Sequence, residues 1–83
     1  MRKEHHYLKC ETYYYQETER NAKLFEVRKN DRNYKVGDMV VLKEVVNGTP
    51  TGRSLSPREI LFVLNGGQYG LDKDYCVLQL TGD

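Results

Sequence analysis

Short apolar runs alternate along this chain with polar stretches marked by glycine, a rhythm that predicts strands more than helices. Residues 39-MVVLKEVV-46 form the clearest run, rich in β-branched residues and partly apolar on both faces. Similar runs at 5–10 (HHYLKC), 24–29, 58–64 (REILFVL) and 75–80 (YCVLQL) predict four more strands. Between them, 30-NDRNYKVGD-38 is a polar connection turning at Val36-Gly37-Asp38, 47-NGTPTGR-53 a loop, and 65-NGGQYGLDKD-74 a glycine-punctuated loop.

One segment departs from the strand rhythm. Residues 12–20 (TYYYQETER) predict a helix with Thr12 as N-cap and Asn21 as the left-handed residue after its end. Three adjacent tyrosines cannot all face one ligand, because they span about 300° of a helix. Tyr14 and Tyr15 are therefore expected against the sheet, with Tyr13 partly exposed. Five strands and one helix predict a mainly β (α+β) domain over residues 1–83. An open sheet this small would expose its edges, which favours a closed or nearly closed small β-barrel with the helix against one side.

Size and charge narrow the function classes. The chain has 83 residues, and a domain of that length buries only about 60–65% of its unfolded surface, leaving no room for a second lobe. A formal net charge of +1 argues against non-specific grip on phosphate backbones and leaves a local charged pocket open. No run has the ~20 apolar residues of a membrane helix, and the charged start 1-MRKEHHYLK-9 lacks a signal-peptide core, so the expected setting is cytoplasmic, with no membrane partner. The two cysteines, Cys10 and Cys76, fit no zinc or CxxC spacing; free buried thiols are expected there, with a disulfide between first and last strands as the alternative.

The unusual feature is the charge woven through 22-AKLFEVRKNDR-32. Phe25 and Val27 share one face of this strand; Leu24, Glu26 and Arg28 share the other. One reading makes Glu26 and Arg28 the ordinary solvated face. Leu24 on that face, and signs that alternate on through Lys29, Asp31 and Arg32, favour a different one. Glu26 and Arg28 lie about 6.5–7 Å apart at Cα, close enough to hold each other in a cleft. Such a cluster is poor design for stability alone, so a polar ligand explains it better.

The segments 6-HYLK-9, 23-KLFEVRKNDR-32, 36-VGD-38, 66-GGQYGL-71 and 75-YCVLQL-80, in this order, resemble a bacterial and phage branch of the ASCH (activating signal cointegrator homology) domains, within the PUA-like superfamily. The resemblance implies a small barrel with one N-terminal helix and a cleft between the two. It places the family's lysine, acid and arginine on Lys23, Glu26 and Arg28, and implies RNA or a nucleotide-like small molecule as partner. Relatives that hydrolyse the acetyl amide of acetylated cytidine pair the lysine with a threonine three residues later and a more distant glutamate. Here Glu26 occupies the threonine position, and Glu44 and Glu59 sit in other contexts, which argues against that hydrolase. The family's glycine before the lysine is Asn21 here, which tolerates the same backbone angles.

Other residues join the candidate site by position. Asp31 and Arg32 are expected near its mouth. His6 either approaches the cleft or is an ordinary histidine of core or surface. Lys9 either adds charge beside Arg28 or is a plain surface lysine. Gln68 and Tyr69 either line the rim, where they would bond and stack on a base, or belong to a loop whose glycines serve only its turns. Two adjacent histidines without further ligands do not make a metal site, so neither metal nor cofactor is expected. The alternative function is an amidohydrolase or ribonuclease acting on a modified nucleoside or RNA, with Lys23 and Glu26 as acid–base partners. A protein-interaction module would need an exposed apolar patch, which the sequence does not display.

Overall fold

The computed structural model describes residues 3–83; Met1 and Arg2, part of the charged start, lie outside the described residues. Its elements are β1 (His5–Glu11), α1 (Thr12–Glu19), β2 (Phe25–Lys29), β3 (Met39–Val46), β4 (Thr49–Ser54), β5 (Arg58–Asn65) and β6 (Tyr75–Leu80). The protein is mainly β with one helix. The strand beyond the expected five is β4, where a loop is predicted. Asn47 and Gly48 both adopt positive φ (48° and 81°), which lets a two-residue turn fold β4 back on β3.

The strands run in the order β1-β3-β5-β6-β2, with β4 paired to β3. β1 lies parallel to β3, and the other pairs are antiparallel. β5 joins the two halves, since Arg58 and Glu59 pair with β3 while Ile60 to Asn65 pair with β6. A bulge between Ile60 and Phe62 bends the strand there and turns Phe62 to the outer face. Between the halves lies the core, including Leu8, Val40, Leu42, Ile60, Leu78 and Leu80 with Tyr15 from the helix. Each such side chain contributes about 1.5–3 kcal/mol relative to exposure.

The expected closed barrel does not form. No backbone ladder joins β1 to β2 among the described residues, so the sheet is open along that seam. Side chains occupy the gap instead. Arg28 of β2 donates from Nη2 to the Lys9 carbonyl at 2.7 Å, and Arg32 from Nη1 to the Tyr7 carbonyl at 3.4 Å. Tyr7 and Lys9 share parity on β1, so both carbonyls look away from β3 toward the seam. Guanidinium groups thus satisfy an edge that a neighbouring strand would otherwise cover.

The helix also differs in detail. Its N-cap is Glu11, without a side-chain cap, and the Thr12 hydroxyl donates to the buried Glu44 carboxylate at 2.7 Å. Only Tyr15 of the three tyrosines is buried; Tyr14, expected against the sheet, is half-exposed. Asn21 has φ 63°, the left-handed conformation expected of it. Cys10 and Cys76 are buried and free, so no disulfide ties β1 to β6. No described helix is long and apolar enough to cross a membrane.

Candidate functional site

Strand β2 is turned inside out relative to ordinary patterning. Its charged Glu26 is only 4% exposed, while Phe25 and Val27 are 47% and 51% exposed. Leu24, just before the strand, accepts the Leu80 amide at its carbonyl and fixes which face turns inward. A solvated charged face is thereby excluded for Glu26.

Glu26 organises the site. Its Oε1 accepts from Arg28 Nε at 3.0 Å and Nη2 at 2.8 Å, and its Oε2 takes the Lys23 ammonium. Lys23 also donates to the Phe25 carbonyl at 2.6 Å. Two cations against one carboxylate leave one net positive charge. One Lys23 N–H remains unused, and Arg28 Nη1 has no hydrogen-bond partner among the described residues. Lys23 and Arg28 both line a cleft of about 380 Å³ at the open seam, between β1, the helix and β2. Aromatic rings flank the cation, with Lys23 Nζ 5.1 Å from the Phe25 ring centre and 5.8 Å from that of Tyr14.

Lys23, Glu26, Arg28 and Lys9 are therefore brought together, with Lys9 giving Arg28 its carbonyl. Asp31 lies past the end of β2 and faces Arg32 at 4.0 Å. Arg32 and His6 line a separate groove of about 620 Å³ together with Lys35 and Asp38. Gln68 and Tyr69 line neither cavity. Gln68 donates to the Asn65 carbonyl within its own loop, and Tyr69 is 88% exposed at φ 52°.

The pairings of several buried polar groups escaped the sequence reading. His6 Nε2 lies 2.9 Å from Asp38 Oδ2, and the His6 ring meets Tyr34 edge-on at 4.7 Å between centres. Asp38 also accepts from the Glu4 and Lys35 amides at 3.3 and 3.2 Å. Burial opposes its charge, but the hydrogen bonds from His6 and the two amides outweigh it and hold the carboxyl below its usual range. Glu44 accepts from Thr12 and Thr51 hydroxyls, which lower its carboxyl as well. Partners 32 residues apart leave no local signal in either case.

Cys10 lies at the back of the cleft. Burial, then the charge of Glu26, push its thiol up to about 11. Relative to an ordinary thiol, the thiolate fraction at pH 8 falls about a hundredfold. Ellman's reagent should accordingly leave Cys10 unmodified in native protein and react promptly in urea; prompt native labelling would contradict the buried placement.

Fold and site together define a small, mainly β domain with one helix and a charged cleft at an open seam. The chain belongs to the family described as a domain of unknown function (DUF3850), whose model matches residues 5–80. No curated protein matches the chain.

Proposed function

We propose that this domain binds a nucleotide-like ligand, RNA or a free nucleotide, in the cleft formed by Lys23, Glu26 and Arg28. One observation carries the reading: a nearly fully buried glutamate holds two cations that line a cleft with aromatic walls. Burying ions costs several kcal/mol each, so the arrangement fits ligand recognition better than stability. Arg28 Nη1 and the free Lys23 N–H suit a phosphate or a base carbonyl. Tyr14, on the helix side of the cleft, offers a face for a base. Glu26 orients both cations. The resemblance to ASCH domains points the same way and suggests a PUA-like ancestry for the sheet.

Binding is favoured over acid–base catalysis because both Glu26 oxygens are already engaged and Lys23 already serves two acceptors. Isothermal titration with the four ribonucleoside 5′-monophosphates tests the proposal. At least one should bind, and Arg28→Ala should weaken it about 10- to 100-fold through loss of charged hydrogen bonds. Equal affinity in wild type and variant would remove the cleft from consideration. Nucleobase or nucleoside products accumulating in the cell would favour the hydrolase instead.

A further inference from the structure

The inverted strand has a second consequence, on the outside of the sheet. Register places Phe25 beside Gln79 and Gln79 beside Phe62, one row across β2, β6 and β5. The next row is Val27, Val77 and Leu64, and beyond it Lys29 stands opposite Tyr75. The β5 bulge is what brings Phe62 to this row, where it is 55% exposed. These outward positions carry one cation, Lys29, and no carboxylate. The face is continuous with the cleft, because Phe25 and Val27 border both.

Three candidate occupants differ in what they need. A second copy needs about 800 Å² per partner for a stable interface. Half-exposed side chains of this size and number offer roughly 450 Å². The face does supply the exposed apolar patch a protein partner needs, but such a partner also needs a polar rim, and these rows carry only Gln79 and Lys29 to form one. Single-stranded nucleic acid needs open aromatic rings, a nearby cation and no repelling carboxylate. Phe25 and Phe62 lie two strand spacings apart, about 9.6 Å, so each ring can take its own base.

We propose that this outer face is a stacking platform for single-stranded RNA, so that the cleft holds one nucleotide of a strand whose neighbours lie across Phe25 and Phe62. The inference rests on the nucleotide-binding reading of the cleft and decides between its two forms, an RNA strand and a free nucleotide.

The test compares the four ribonucleoside 5′-monophosphates with homopolymer RNA hexamers of the same bases, by titration against wild type, Phe62→Ala, Phe62→Tyr and Arg28→Ala. The hexamer should bind at least tenfold more tightly than the monophosphate of its base. Phe62→Ala should lose about tenfold or more of hexamer affinity and leave the monophosphate unchanged, whereas Phe62→Tyr, which keeps a ring, should retain it. Monophosphate binding with no hexamer advantage and no effect of Phe62→Ala would overturn the platform while sparing the cleft. Hexamer binding that depends on Phe62 but is unaffected by Arg28→Ala would sink the cleft and leave the platform. Concentration-dependent dimerisation abolished by Phe62→Ala, with hexamer affinity intact, would assign the face to a second copy. Binding of neither ligand would overturn both.

Discussion

Glu26→Ala is expected to lower stability by about 3–5 kcal/mol at neutral pH, because it leaves the Lys23 and Arg28 charges facing each other at a partly buried site. The lysine and arginine side chains are 16% and 23% exposed, too enclosed for water to replace the lost carboxylate fully. A companion variant separates stability from function. Replacing the trio together by Lys23→Met, Glu26→Leu and Arg28→Met removes every charge at once and should recover most of the lost stability. It should bind no nucleotide. Urea unfolding measures both variants. A loss below about 1 kcal/mol for Glu26→Ala would mean that the cluster behaves as an exposed network.

Asp38→Ala should cost about 3 kcal/mol for a different reason. It strands the His6 ring nitrogen and the Glu4 and Lys35 amides, which together hold the approach to β3. The pH dependence has a definite sign. Asp38 and Glu44 titrate below their ordinary values of 3.8 and 4.5, so the unfolded chain takes up protons first as pH falls. Glu17, held low by its Arg20 hydrogen bond, adds to the same window. Their contribution is complete above about pH 5 and is lost as pH drops through the lower folded values. The gap between wild type and Asp38→Ala should therefore be widest near neutrality and shrink below about pH 4. A gap independent of pH would show that Asp38 acts through packing and not through its charge.

Elements that stabilise themselves locally were the legible ones. The strands at 39–46 and 75–80 have the bounds that their β-branched and apolar runs imply, and Asn21 ends the helix as its tolerance of positive φ suggests. β4 was hidden because TPTGRS has the composition of a turn, and all six of its residues are exposed. Its order comes from the Asn47-Gly48 hairpin and from Thr51 reaching Glu44, not from burial of its own.

The open seam was illegible for a related reason. Alternation tells which residues share a face, but not which neighbour a strand edge will find. Phe25, Val27, Glu26 and Arg28 were correctly sorted into two faces. Which face turned inward depended on Leu24 joining Leu80 and on β1 offering bare carbonyls to Arg28 and Arg32. The same inversion created the outer apolar face, which no single run of sequence displays because it draws on three strands. Glu26 and Arg28 could be grouped early because they lie two positions apart on one strand face, and Lys23 joined them only through the family resemblance. His6 and Asp38 could not.

The most direct measurement is an amide shift map of the protein titrated with ribonucleotides, recorded in parallel on the apolar triple variant. Shifts should concentrate at Lys23, Phe25, Glu26, Arg28 and Tyr14, saturate, and be absent from the variant. Shifts that persist in the variant, or none in wild type at millimolar ligand, would contradict a nucleotide-binding cleft at the open seam.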